Sequence, residues 1–318
     1  MTSTVHEGTD MELATATATE TEDLGQILYE RRNLINVAYR MLGSLTDAED
    51  VTQEAMARWY AMPSAHRQEI NSPGAWLTTV TTRICLDLLG SARVRRERYV
   101  GEWLPEPLPD HGDASPSAAD DPEARVTMDE SVNMALLVVL DEMTPAERVV
   151  FVLHDIFSYP FPEVAEMVGR TPGACRQLAS TARRRVRDAR PKTTPTKHDE
   201  RIVRRFKEAL GAGDIDGLVA LLADKVTATS DGGGRVKAAL RPIVGPERVS
   251  RAMLGIWAGL DQPLAIERTV NGRPGLIVQQ GGQTITVCAF EIVEGRIQRL
   301  WAVRNPEKLR PWTTGAAA

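Results

Sequence analysis

The sequence predicts a multidomain protein in which two small all-α domains precede a C-terminal α+β domain. Three observations lead there. Apolar residues recur at helical spacing from residue 24 to about residue 190. Two Pro-rich stretches, at residues 101–130 and 191–197, interrupt that pattern. From Lys197 onward, helical periodicity gives way to β-branched runs. A chain of 318 residues has room for two or three domains of ordinary size.

Residues 1–22, small and polar with a TATAT tract, are expected to form a disordered tail. The first helical domain is placed at residues 23–100. Leu24, Ile27, Leu28, Leu34, Ile35, Val37, Ala38, Met41 and Leu42 make one helical stripe, ended by Gly43. Thr46 with Glu49 reads as a capping box that opens a second helix through Tyr60. Ser72-Pro73 opens a third, running from Trp76 to about Arg98. Residues 101–130 carry five prolines and nine acids against Arg125 alone, a net of −8, and read as a partly extended, unpacked linker.

The second helical domain spans residues 131–190. Its helices are expected at Ser131 to Glu142, after Thr144-Pro145, at Phe161 to Val168, and from Thr171-Pro172 to about Arg190. After the linker at 191–197, the C-terminal domain occupies 198–312, with a tail at 313–318. It opens with helices at Asp199 to Leu210 and Ile215 to Leu222. Strands are expected at Val226–Thr229, Ala265–Val270, Gly275–Gln280, Gln283–Val293 and Arg296–Arg304. Glu294-Gly295 marks a hairpin, and the whole suggests a curved antiparallel sheet.

The hydrophobic share of 42% and charged share of 25% are those of a globular protein. A net charge of −5 does not mark a nucleic-acid binder, but the charge is unevenly distributed. Cys85, Cys175 and Cys288 lie far apart in apolar settings, so buried thiols are expected in place of a zinc module or disulfides. No apolar run approaches the ~20 residues that span a bilayer, and no signal-peptide order is present. A cytoplasmic protein is expected. No phosphate-binding loop or dinucleotide fingerprint occurs, so no metal or cofactor is anticipated.

Phe161 to Arg190 carries the strongest functional signal. Two short helices around Gly169-Arg170-Thr171-Pro172 have the size and turn of a helix-turn-helix. Between Arg170 and Lys192 the charge is +7. Thr171, Arg176, Gln177 and Ser180 would face base edges, while Arg183, Arg184 and Arg187 would hold phosphates. The plainer reading is a solvated basic helix. A second signal pairs an acidic helix with a basic one. Asp47, Glu49, Asp50 and Glu54, with Gln53 among them, crowd one helix; a well-capped exposed helix would look the same. The next helix carries Trp76, Thr79, Arg83, Arg93, Arg95 and Arg96, groups suited to single-stranded nucleic acid. Trp76 could equally be core.

These stretches, LTDAEDVTQEAMARWY, PGAWLTTVTTRICLDLL and MTPAERVVFVLHDIFSYPFPEVAEMVGRTPGACRQLASTARRRVR, resemble the extracytoplasmic-function sigma factors across residues 24–190. The resemblance implies that Asp47, Glu49, Asp50, Gln53 and Glu54 grip core RNA polymerase. It implies that the helix with Trp76, Thr79, Arg83, Arg93, Arg95 and Arg96 reads the minus-10 element of promoter DNA. The helix-turn-helix would read the minus-35 element. Three further motifs are similar to those of the sigma-J-like subgroup, which carries a fused SnoaL-like, NTF2-like domain. They are Trp103-Leu104-Pro105-Glu106-Pro107, Asp231-Gly232-Gly233-Gly234 and Asn305-Pro306-Glu307-Lys308-Leu309. These are expected to fix the helical domains relative to each other, and so to regulate them.

Two rival readings follow from the same residues. An enzyme would need a tuned acid or base in a pocket, and Asp224, Asp231, Glu247, Glu267 and Glu291 cannot be paired by spacing, so no catalysis is expected. A one-component helix-turn-helix regulator with a ligand-sensing C-terminal domain would leave the acidic and Trp76 helices idle.

Overall fold

A computed structural model describes residues 29–96, 99–109, 133–189 and 197–312, of 92–96 the backbone alone. Both expected tails, the linker at 191–196 and the acidic segment 110–132 lie outside the described residues.

The first domain holds α1 (residues 29–42), α2 (Leu45–Ala61), α3 (Ser64–Gln68) and α4 (Pro73–Arg96). Gly43 adopts φ +71°, a left-handed conformation, and so ends α1 at Leu42. Ser44 then caps α2, its hydroxyl accepting from the Asp47 N–H. The cap expected at Thr46 is therefore corrected to Ser44: once Gly43 has turned the chain, Ser44 is the first extended residue and Thr46 is already helical. The short α3 was not expected.

The second domain holds α5 (Met134–Asp141), α6 (Pro145–Phe151), a π-turn (Val152–Ile156), α7 (Phe161–Val168) and α8 (Pro172–Ala189). Asn133 caps α5, which starts at Met134, three residues after the expected Ser131, itself outside the described residues. Thr144 and Glu147 form a reciprocal capping box with Pro145 at the first helical position. Gly169, at φ +65°, ends α7 and makes the turn into α8.

The two helical domains share one core, in which Ile35, Met41, Ile84 and Cys85 pack with Val149, Leu153 and Val164. Polar contacts cross the same junction. Arg148 donates to the Met41 carbonyl at 3.0 Å and pairs with Asp141 at 2.9 Å. The Arg40 guanidinium lies 5.0 Å from the Phe157 ring centre, and Thr78 meets the Tyr159 hydroxyl at 3.3 Å.

The third domain contains α9 (Lys197–Ala212), α10 (Ile215–Leu221), β1 (Leu222–Asp231), β2 (Ile243–Val244), α11 (Pro246–Ala258), β3 (Leu264–Val270), β4 (Arg273–Gln280), β5 (Gln283–Val293), β6 (Arg296–Val303) and a 3₁₀ turn (Pro306–Trp312). The sheet runs β2-β1-β6-β5-β4-β3. The β1–β6 pair is parallel, so the sheet is mixed, and the purely antiparallel expectation is corrected. One helix and four strands intervene between β1 and β6, and the chain returns beside β1 in its own direction. Neither α11 nor β2 was expected. The α+β class stands.

Strand alternation gives this sheet two different buried faces. Cys288, Phe290, Leu300 and Ala302 face the helices, where Phe206 and Phe290 meet edge-on at 5.3 Å. Val287, Ala289, Trp301 and Val303 face the other way and pack with Leu104, Met134, Ala135 and Leu309. The outer face is thus the platform on which α5 and residues 104–109 rest. Burial on both sides explains the apolar runs Val287–Phe290 in β5 and Leu300–Val303 in β6.

Candidate nucleic-acid interface and interdomain clasp

The acidic helix α2 exposes Glu49, Asp50, Gln53 and Glu54, while Asp47 is half-buried in its first turn. Glu54 pairs with Arg58 one turn on, at 2.5 Å. Ala48, Val51, Thr52 and Ala55 hold the opposite face in the core, so the carboxylates form one solvent-facing stripe. Asp47 also lines a cleft of about 530 Å³ that is shared with Tyr99, Trp103, Asn305 and Lys308.

On α4, Trp76 and Thr79 are half-buried and Arg83 is exposed. The Trp76 ring lies 5.3 Å from Trp59, tilted by 54°, so one side of Trp76 is spent on packing. Thr79 bonds back to the Ala75 carbonyl at 2.8 Å. The side chains of Arg93, Arg95 and Arg96 lie outside the described part.

The helix-turn-helix is formed as expected by α7, the Gly169 turn and α8. Cys175, Ala179 and Ala182 bury one face of α8; Arg176, Gln177, Ser180, Arg184 and Arg187 are exposed on the other. Thr171 caps α8, accepting from the Ala174 N–H at 3.2 Å. Arg183 pairs with Asp155 at 2.5 Å and is less free to reach phosphate. Arg176 also lies over the Phe161 ring at 5.6 Å.

The third constellation centres on Asp231, a fully buried carboxylate. Its Oδ1 accepts from the Tyr99 hydroxyl at 2.6 Å and the Gly233 N–H at 3.0 Å. Its Oδ2 accepts from the Leu104 N–H at 2.9 Å and from Lys308 Nζ at 2.6 Å. Four donors match the acceptor capacity of an ionised carboxylate. Its main-chain carbonyl takes the N–H groups of Arg304 and Asn305. Lys308 also donates to the Leu104 carbonyl and sits 4.0 Å from the Trp103 ring centre. Asn305 donates to the Tyr99 hydroxyl at 3.0 Å and caps the turn through the Glu307 N–H at 3.1 Å. Burial, followed by the hydrogen bond to Asp231, pushes the Tyr99 phenol well above its ordinary range.

Gly233 and Gly234, at φ +60° and +69°, let the loop turn tightly. A Cβ on Gly233 would sit 2.4 Å from Asn305 Nδ2.

Residues 104–108 are buried, which corrects the expectation of an unpacked linker. Their apolar side chains fill the space beside the sheet, and Glu106 ties them to the first domain. It accepts from the Ser44 hydroxyl at 2.9 Å and the Leu45 N–H at 2.8 Å, extending the cap of α2. Its N–H donates to the Gly43 carbonyl at 2.8 Å, and its carbonyl accepts from Tyr39 at 2.7 Å. Desolvation raises the Glu106 carboxyl despite these bonds. Further along, Leu108 exchanges two hydrogen bonds with Asn271, whose amide also donates to Tyr39 at 3.0 Å. Trp312 donates to the Pro107 carbonyl at 2.8 Å. Pro105 and Leu309 are buried within the same clasp, whereas Pro306 is exposed at its edge.

Sequence reasoning missed Tyr39, Tyr99, Asn271 and Trp312. Asn271-Gly272 was a readable turn signal; the others carried none.

The acids weighed for catalysis do not converge. Glu267 pairs with Lys207 at 2.5 Å, Glu291 with Arg299 at 3.4 Å, and Asp231 is saturated. Among the described residues no group of three His, Cys, Asp or Glu side chains could hold a metal ion. Likewise, no helix among them is long and apolar enough to cross a membrane. All three cysteines are buried free thiols, as expected.

Comparison with known proteins agrees with this architecture. Residues 27–95 match the model of sigma-70 region 2, and residues 133–186 match that of sigma-70 region 4. The chain is 39% identical over 294 residues to the ECF RNA polymerase sigma factor SigJ of Mycobacterium tuberculosis, covering 87% of this chain and 90% of that protein. It is 36% identical over 284 residues to the probable ECF sigma factor SigI of the same species, covering 88% and 92%. The crystal structure of Mycobacterium tuberculosis SigJ superposes with a TM-score of 0.70 at 35% identity, covering 91% of this chain and 98% of that one. The chain therefore belongs to the extracytoplasmic-function sigma factors, and is a transcription initiation factor that works with core RNA polymerase on promoter DNA.

Proposed function

We propose that the C-terminal domain is a non-catalytic clasp that sets the relative position of regions 2 and 4, and thereby the factor's activity on promoters in the cytoplasm. The observation that carries this reading is Asp231, whose four donors come from the linker, its own loop and the C-terminal turn. In this reading the exposed stripe Glu49, Asp50, Gln53 and Glu54, with Asp47, docks on the polymerase, where opposite charge steers association. Trp76, Thr79 and Arg83 of α4, with Arg93, Arg95 and Arg96, meet the minus-10 element. Arg176, Gln177 and Ser180 read the minus-35 element, with Thr171 capping their helix; Arg184 and Arg187 hold phosphate, joined by Arg183 when it leaves Asp155.

The clasped state holds α4 against α6 and α7, so the minus-10 and minus-35 readers cannot move independently. Run-off transcription with purified core polymerase and no other sigma factor tests this. Removing residues 305–318, which contain Asn305, Lys308 and Leu309, is expected to change promoter-dependent transcript yield by several-fold. Unchanged yield and unchanged promoter affinity would refute the clasp. Promoter binding with no polymerase association would instead favour a one-component regulator.

A further inference from the structure

A cavity of about 60 Å³ lies between α11 and the inner face of the sheet. Ala252, Met253, Ile256 and Trp257 form its helix wall, and Leu300 and Ala302 its sheet wall. Its lining contains no carboxylate and no histidine, which removes the usual acid–base groups. Its one charged group is Arg304.

Arg304 is out of balance with its surroundings. Its Nη1 donates to the Lys237 carbonyl, while its Nε is buried without a hydrogen-bond partner. It forms no ion pair among the described residues. Cys288, also in the lining, offers no compensating charge, because burial pushes its thiol up to about 12. Desolvation correspondingly pulls the Arg304 guanidinium below its ordinary range. A half-buried cation without a counter-charge is costly unless something supplies one. An apolar pocket with one such group has the form of a small-molecule site.

We propose that this cavity is a receptor for a small monoanion with an apolar body, a short branched-chain carboxylate being the class that fits. The carboxylate would meet the guanidinium fork, and the apolar body would displace water from the alkyl and indole walls. At about 10–15 Å³ per water-sized probe, the cavity holds roughly four to six such groups, room for the branched alkyl body of such an acid with its carboxylate at the guanidinium.

The site adjoins the clasp through the backbone. Arg304 precedes Asn305, and its N–H donates to the Asp231 carbonyl at 2.7 Å. Ser230, which also lines the cavity, precedes Asp231 and accepts from the Ala239 N–H at 2.9 Å. Transmission of occupancy to transcription rests on the clasp reading; binding itself does not.

The test is a ligand-observed NMR titration of the full chain with isovalerate and with isovaleramide, its neutral isostere. Isovalerate is expected to bind at least about tenfold more tightly, the worth of one charge-assisted hydrogen-bonded contact. Arg304→Gln should level the two affinities. Ala252→Leu, which fills the cavity and leaves Arg304 in place, should abolish both. Absence of isovalerate binding, equal binding of acid and amide, or a preference that survives Arg304→Gln would overturn the proposal. Binding that leaves run-off transcription unchanged would keep the receptor and count only against the clasp.

Discussion

Asp231 and Lys308 form a buried pair in which each group depends on the other for its solvation. Removing the carboxylate alone strands a cation, and such half-pairs cost about 3–5 kcal/mol. Asp231→Ala should therefore lower the urea unfolding free energy by that amount. Asp231→Ala with Lys308→Met should recover part of it in a double-mutant cycle. Glu106 gives a pH prediction of definite sign. Its folded-state pKa is raised, chiefly by desolvation, so the protonated form is the one that folding prefers. The associated stability is present below the ordinary glutamate range and is lost as pH rises through the raised value. Unfolding free energy followed across that window should show the loss in the parent chain, and Glu106→Gln should remove it. These residues were visible in the sequence only as short motifs. Their meeting was not, because Leu104 lies 127 positions from Asp231 and 204 from Lys308. Local pattern carries no distance across such gaps.

Elements with their own punctuation were the most legible. Thr144-Pro145-Ala146-Glu147 is a complete start signal, and its capping box is present. Thr144→Ala should cost about 1 kcal/mol, measured by thermal unfolding, with Thr144→Ser close to neutral. The start of α2 was misplaced because Thr46–Glu49 carries the same spacing as Ser44–Asp47; a left-handed Gly43 decides between them. Helix α11 escaped notice although Pro246-Glu247 opens it and Val249, Met253 and Ile256 recur at helical spacing. Gly255 within it and Gly259 after it weakened the pattern. The parallel β1–β6 pairing was out of reach for another reason: alternation within a strand says which residues share a face, but nothing about the direction of its neighbour.

At the scale of the molecule, the outer face of the sheet joins what would otherwise be separate domains. Leu104, Met134, Ala135 and Leu309 bury their side chains against Val287, Ala289 and Trp301. Placing a carboxylate there, as in Met134→Asp, leaves a charge without a partner in an apolar seam. Calorimetry should then resolve two transitions where the parent chain shows one, with the inner core of the C-terminal domain melting by itself. The two-domain helical layout followed from charge and periodicity. The seam did not, because the apolar outer face of β5 and β6 has the sequence of any doubly buried strand.

The bond from Trp312 to the Pro107 carbonyl spans 205 positions, and this separation has a temporal meaning. A ribosome adding about 5–20 residues per second needs roughly 10–40 s to make that stretch. The helices of regions 2 and 4 are therefore synthesised well before the residues that bond to the 104–108 segment exist. Each newly made molecule passes through an interval, set by translation speed, in which Pro107 lacks its Trp312 donor.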